Sequence, residues 1–229
     1  DDQESTAELV RSLYKKEAAK VGMSQVQILS PYRSEGAAAA ANLNTAIQEA
    51  INPSKPEKPE ATRGGKVFRL RDRVMQIKND YDIVLRDSEG KELATGVFNG
   101  ETGFVIDIQG SSITVNYDGR YANYPLESLD ELDLAYAMTI HKSQGSECDT
   151  VIIPMLVAHK ILLSRNLLYT AVTRAKHRVL LVGQKKALYM AVSKTRKGKR
   201  NTLLAERMRL YHQTLTSQTA QREALKKAS

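Results

Sequence analysis

The sequence predicts an α/β fold in which a mainly parallel sheet with helices on both faces is interrupted by a small all-β insert. Three observations carry this expectation. A strand-like run at residues 25–30 and short apolar runs at 149–155 and 178–182 have the character of strands in such a sheet. They alternate with segments whose apolar residues recur at helical spacing. Between residues 67 and 133 the pattern changes to β-branched and aromatic runs separated by turn signals.

Taken in order, Ser5 and Glu8 have the spacing of a capping box, and Leu9, Leu13 and Ala18 continue a helical stripe that should stop near Gly22. Residues 25–30 alternate as a strand that Pro31 ends. After Gly36, residues 37–51 are Ala-rich, with Leu43, Ile47 and Ile51 at helical spacing before Pro53. Residues 52–66 hold three of the six prolines, two adjacent glycines and alternating Lys and Glu, which reads as a linker with a boundary near residue 64. Within 67–133, Ser88-Glu89-Gly90, Asn99-Gly100, Gln109-Gly110 and Asp118-Gly119 mark tight connections, and a five-stranded SH3-like barrel is expected. The α/β pattern then returns with a strand at 134–140, a strand at 149–155, a helix at 161–176 and a strand at 178–182 that Gly183 ends. Residues 1–63 and 134–195 should therefore share one sheet, with 64–133 as the insert and 196–229 as a basic C-terminal helix or tail.

The 229 residues suffice for one large domain, or a larger one carrying a smaller one. No run approaches the roughly 18 apolar residues that span a bilayer, and Asp1-Asp2-Gln3-Glu4 is acidic where a signal peptide is basic and then apolar. A soluble cytoplasmic protein without a membrane partner is expected. The absence of an initiator Met suggests a piece of a longer chain. The single Cys148 excludes an internal disulfide and a Cys-based zinc site, and His141, His159, His177 and His212 lack a paired-ligand spacing, so no metal site is expected. The formal charge of +8 is uneven: residues 185–229 carry twelve Lys and Arg against two Glu, whereas residues 1–184 carry 22 basic and 24 acidic groups. Such a basic segment attracts polyanions such as nucleic acid, or is simply a solvated helix.

Two segments carry chemistry. Residues 136–147 place the hydroxyls of Thr139 and Ser143, the imidazole of His141, the ammonium of Lys142 and the amide of Gln144 directly after a strand, where open α/β sheets bind ligands. Gly145 permits close backbone approach. In the second segment, residues 163–176 of the helix expected from Ile161, the apolar positions Ile161, Leu168, Ala171, Val172 and Ala175 fall on one helical face, and Arg174 is presented at the helix end. A guanidinium there either complements the helix dipole or reaches a phosphate supplied by a neighbouring domain.

The ordered pair Thr139-Ile140-His141-Lys142-Ser143-Gln144-Gly145-Ser146-Glu147 and Leu168-Tyr169-Thr170-Ala171-Val172-Thr173-Arg174-Ala175-Lys176 closely resembles motifs V and VI of superfamily 1 helicases, in their RecD-like branch. Residues 26–33 resemble the motif IV region and residues 96–103 a stretch of the insert, so the resemblance spans roughly residues 22–210. It implies the C-terminal half of an ATP-dependent DNA helicase that translocates 5′-to-3′: a second RecA-like domain interrupted by an SH3-like domain. It implies that Arg174, and Arg33 in motif IV, are catalytic and approach the γ-phosphate. Gly145 and Glu147 match nucleotide-binding positions, and Thr139, His141, Lys142 and Ser143 match positions facing the DNA backbone. Gln144, Tyr169 and Thr173 match supporting positions. Cys148 departs from the family's larger apolar residue and reads as a buried small hydrophobe.

No Gly-x-x-x-x-Gly-Lys-[Ser/Thr] occurs, and no convincing acidic pair ends an apolar strand. ATP with Mg²⁺ is therefore expected to be bound mainly by an N-terminal RecA-like domain outside this sequence, and this chain alone is expected to be inactive. The other implied partners are single-stranded DNA and a duplex junction. Other readings stay open at this point: a non-enzymatic nucleic-acid-binding module, a scaffold whose insert binds a protein partner, or the helicase part of a conjugative relaxase. Tyr81, Tyr117, Tyr121 and Tyr124 either line a partner groove, stack on bases or fill the barrel.

Overall fold

The computed structural model describes residues 2–194 and 203–227, with backbone alone for residue 205 and residues 217–227. Two compact units are formed, Asp1–Thr195 and Arg196–Ser229. In the first, α1 (Asp2–Val21), β1 (Val26–Ser30) and α2 (Ala40–Ile51) precede nine strands: β2 (Glu60–Arg63), β3 (Lys66–Arg69), β4 (Arg73–Gln76), β5 (Asp80–Arg86), β6 (Glu92–Val97), β7 (Thr102–Gln109), β8 (Ser112–Tyr117), β9 (Arg120–Pro125) and β10 (Leu132–Leu134). Then follow β11 (Ala137–Thr139), β12 (Cys148–Met155), α3 (Arg165–Val172), β13 (Ala175–Gly183) and α4 (Lys185–Ser193).

Strands β11, β1, β12 and β13 lie in that order in one sheet and pair in parallel throughout. Successive residues of a strand point to opposite faces. Val26, Ile28 and Ile152 accordingly pack with Val10 and Tyr14 of α1 and Leu43 and Ile47 of α2. Leu29, Val151 and Ile153 pack on the other side with Leu167 and Ala171 of α3 and Ala187 and Ala191 of α4. The expected sheet with helices on both faces is present. Buried Gln27 is tolerated in the central strand β1 because its amide donates to the carbonyls of Ala135 and Tyr136, at 3.3 and 3.1 Å.

Several element limits differ from expectation. The Ser5–Glu8 pair does not start α1: the helix begins at Asp2, with Asp2 and Glu4 in its first turn, and the Ser5 and Thr6 hydroxyls donate back to the Asp2 carbonyl. The expected helix at 161–176 is shorter, because Ser164 Oγ caps α3 by accepting from Leu167 N, and Ala175 already pairs with Cys148 as the first residue of β13. The expected strand at 134–140 is split. Leu132–Leu134 pairs antiparallel with β4, whereas Ala137–Thr139 pairs with β1.

The insert is built on a seven-stranded antiparallel sheet, β10-β4-β7-β8-β9-β5-β6, which alone has two strands more than the expected five. Three of the four turn signals fall between consecutive strands from β5 to β9, and Gln109-Gly110 begins on the last residue of β7. At the β8–β9 turn both Asp118 and Gly119 have positive φ, 54° and 86°, as the tight hairpins favoured by Asp-Gly require. Tyr117 and Tyr124 are buried in this core with hydroxyls 2.8 Å apart, and Tyr124 also donates to Gln76 Oε1 at 2.9 Å, whereas Tyr81 is exposed. Residues 52–66 are not a simple linker. Their second half forms the β2–β3 hairpin, whose Ala61 and Phe68 enter the insert core, so residue 64 lies in a hairpin turn.

Insert and parallel sheet are fastened by buried polar groups. Asp72 accepts hydrogen bonds from Gln48 and Asn52 of α2 and its flank, from Arg69 N and from Tyr136 Oη, at 2.5–2.8 Å. Burial nevertheless pushes its carboxyl up from the ordinary range, against the downward pull of these donors. Next to it, Arg73 Nη1 donates to the carbonyls of Met23 and Val26.

The second unit contains α5 (Leu204–Lys227), on the segment expected to be a basic helix or tail. Its Arg196, Lys197, Lys199 and Arg200 lie outside the described residues. Among the described residues no helix is long and apolar enough to cross a membrane.

Candidate functional site

The chemistry-bearing residues lie along one connection. Thr139 pairs opposite Ser30 at the carboxyl end of β1, whereas Thr150 pairs opposite Val26 at its amino end. Residues 140–147 therefore leave β11 at the carboxyl edge of the sheet and enter β12 at the amino edge. Local bonds fix this path: Lys142 N and Ser143 N donate to the Thr139 carbonyl, and Ser146 N donates to that of Ser143. Gly145 has φ 90°, a conformation that side chains rarely adopt, and its surroundings are open.

At the amino edge stands Arg174, in the turn between α3 and β13. Its backbone carbonyl accepts from Cys148 N at 3.0 Å. Its guanidinium donates to Ser146 O at 3.2 Å, to Thr170 O at 3.3 Å and to Thr173 Oγ1 at 3.3 Å. None of these acceptors is a carboxylate, so a full positive charge is held in place beside Gly145 to Glu147 without a counter-ion among them. Thr173 supports this geometry by accepting from Arg174 while donating to Thr170 O. Tyr169 does not brace the helix as expected, because its ring is 70% exposed. His177 Nδ1 lies 2.6 Å from Asp149 Oδ2 nearby, and this bond holds the Asp149 carboxyl below the usual range. Cys148 is buried, which pushes its thiol up and away from reactivity.

At the carboxyl edge a second cationic group gathers around Asp133. Arg33 Nη2 lies 3.6 Å and Lys66 Nζ 2.5 Å from the Asp133 carboxylate. Lys142 stands beside them, half-buried, and its ammonium has no ion pair or hydrogen bond among the described residues. Burial lowers its pKa, with Asp133 opposing and the positive charges of Arg33 and Lys66 adding to the effect. His141, Gln144 and Glu147 are exposed on the connection, and Thr139 is partly exposed at its start.

Two expectations are corrected by this arrangement. Ser143 does not face outward: it is 1% exposed and its hydroxyl donates to Ile140 O at 2.8 Å, so it shapes the loop from within. Arg33 is not placed with Arg174. It follows β1 at the carboxyl edge, pairs with Asp133 and shares no polar partner with Arg174. Lys66 and Asp133 were not singled out by the sequence, because they join this group only through the fold of the insert. The segment around Lys66 reads locally as linker, and no local spacing links it to residue 133 or 142.

Comparison with known proteins agrees with the two layers of the fold. Residues 134–182 match the UvrD-like helicase C-terminal domain, and residues 43–117 match the ATP-dependent RecD-like DNA helicase SH3 domain. The ATP-dependent RecD2 DNA helicase of Deinococcus radiodurans is 36% identical over 194 residues, covering 83% of this chain and 24% of that protein. The RecBCD enzyme subunit RecD of Mycolicibacterium smegmatis is 39% identical over 137 residues, covering 59% of this chain and 22% of that protein. A solved Pif1 helicase from Bacteroides in complex with ADP-AlF3 and ssDNA aligns over 90% of this chain and 50% of that one, at 17% identity and a TM-score of 0.49. The chain thus spans about a quarter of the length of these curated relatives. With both segments matched in this order, the chain is similar to RecD-like DNA helicases, joining a segment like their SH3 domain to one like the UvrD-like helicase C-terminal domain.

Proposed function

We propose that this chain is the C-terminal motor region of an ATP-dependent 5′-to-3′ DNA helicase acting in DNA repair or recombination. In this reading residues 134–195, with those before the insert, form the second RecA-like domain, and the insert begins with the β2–β3 hairpin. The carrying observation is the two-ended connection of residues 140–147, with an uncompensated guanidinium at its amino edge and an unpaired ammonium at its carboxyl edge. One end suits the polyphosphate of ATP and the other suits a DNA backbone, so one short segment ties the two sites together.

The residues fit an anionic nucleotide. Arg174 carries a charge that neutral acceptors orient without cancelling, as stabilising a transferring phosphoryl group requires. Gly145 lets backbone come close to a ligand and exposed Glu147 is available to its polar edge. ATP, entering with Mg²⁺, supplies the phosphoryl group that is transferred to water. Because the sequence has no phosphate-cradling Gly-Lys-[Ser/Thr] loop, that cradle belongs to an N-terminal RecA-like domain, and this chain alone does not turn over ATP. Lys142, with Thr139 and His141 beside it, takes the phosphates of single-stranded DNA, and Arg33 joins this group. Backbone contacts of this kind position a strand without reading its sequence.

Two variants of the complete protein separate the ends. Arg174→Ala should lower ATP turnover by about 10³-fold or more while leaving strand affinity unchanged. Lys142→Ala should weaken single-strand binding equally for all sequences and reduce the salt slope by about 0.7, with turnover restored at saturating DNA. Turnover of Arg174→Ala close to wild type, or an unchanged salt slope for Lys142→Ala, contradicts the corresponding role.

A further inference from the structure

A cavity of about 610 Å³ opens where α2, β10, β11 and the β2–β3 hairpin meet, on the seam between the parallel sheet and the insert. Its shape follows from helical spacing. Exposed Ala41, Thr45 and Glu49 are one row of α2, four residues apart, and the first two are too small to fill the space above them. Val67 of the hairpin and Met138 of β11 line it as well, so much of the wall is apolar.

The charges around this wall are unequal. Arg33, Lys66 and Lys142 line the cavity with Asp133 as their shared carboxylate, while the fourth cation, Arg69, is already paired with Glu49 and Glu60 at 2.5 and 2.8 Å. Lys142 makes no hydrogen bond or close ion pair among the described residues, and Asp133 acts on it only as a nearby charge. Cations beside a concave apolar wall suit a ligand that is anionic on one side and flat and apolar on the other. A nucleotide has this chemistry.

Resting on the strand-binding role proposed above, we propose that this cavity receives one nucleotide of the bound strand: its base lies over Ala41, Thr45 and Val67, and its phosphate is held by Lys142 with Lys66. The insert would then grip the strand directly through its first hairpin. Occupancy by any base follows, because the wall offers apolar surface to each.

The test is titration of the 229-residue chain at one salt concentration with three probes: a thymidylate oligonucleotide, an abasic deoxyribose-phosphate strand of the same length, and thymidine monophosphate. Wild type should bind the thymidylate strand about tenfold more tightly than the abasic one. Thr45→Trp, which fills the cavity from an exposed helical position, should erase that preference and leave abasic binding unchanged. Ala41→Trp in the same row is the second variant should the first fail to fold, as judged by its melting curve. Lys66→Gln should weaken both strands. Equal wild-type binding of the two strands, or a thymidylate affinity of Thr45→Trp within twofold of wild type, overturns the pocket while leaving the strand-binding reading intact. Saturation by thymidine monophosphate that the oligonucleotide fails to displace assigns the cavity to a free nucleotide and overturns the strand assignment. Wild type binding to neither strand sinks the strand-binding reading itself.

Discussion

Asp72 concentrates more structural consequence than any other single side chain in the seam. Its carboxylate is the common acceptor for α2, for the β3–β4 turn and for Tyr136. Asp72→Ala should orphan buried donors and cost about 3–5 kcal/mol, measured by urea unfolding. A loss below about 1 kcal/mol would mean that water replaces the carboxylate. Its neighbour Arg71 adopts φ 73° so that the chain can turn Asp72 inward, and its side chain is exposed. Arg71→Gly should therefore stabilise the protein by about 0.5–1 kcal/mol, the left-handed penalty less the added chain entropy of glycine. No gain, or a loss, would show that the Arg71 side chain contributes more than its backbone costs. Little of this was legible in the sequence. Asp72 reads as one more polar residue after a linker, because all but one of its partners are 20 or more positions away. Arg174 was legible because it stands in a local run that resembles motif VI, although its contacts with Ser146 and Cys148 join segments distant in the chain.

At the scale of elements, α1 is tied to the outer strand of the parallel sheet by Glu17, which bonds Lys20 on its own helix and Arg178 of β13, both at 2.9 Å. The Lys20 bond first, and then both positive charges, hold the Glu17 carboxyl below the usual range against an upward push from burial. The folded value is thus lower than the unfolded one, so the contribution is full above about pH 4.3 and is lost as pH falls through the lowered value. The stability gap between wild type and Glu17→Gln should be constant from neutral pH to about 5 and close in acid. A gap that persists unchanged in acid would assign the effect to packing alone. Strand and helix existence was readable here, since alternation and helical spacing are local. The limits were harder. The helix expected to run to residue 176 stops at Val172 because Ala175 is recruited by Cys148, and the strand expected at 134–140 is shared between two sheets. Both outcomes are set by pairing partners distant in the chain, which no local pattern records.

At the largest scale, within residues 2–194, the two matched segments are fastened together, and the connection of residues 140–147 runs from one edge of the parallel sheet to the other. The turn signals of the insert and the apolar runs of the sheet made this division visible in advance. The seven-stranded count and the hairpin at its entrance did not show, because Pro and Lys-Glu alternation resemble a linker even when backbone pairs across them. The central claim is that this region supplies Arg174 and a strand grip to a nucleotide site completed elsewhere. The most direct measurement is ATP hydrolysis, with and without a single-stranded oligonucleotide, by the complete protein and by this chain alone. The account predicts DNA-stimulated turnover by the complete protein and none by the chain. Turnover by the chain alone would contradict the divided site, and a complete protein that binds DNA without turnover would contradict the motor itself.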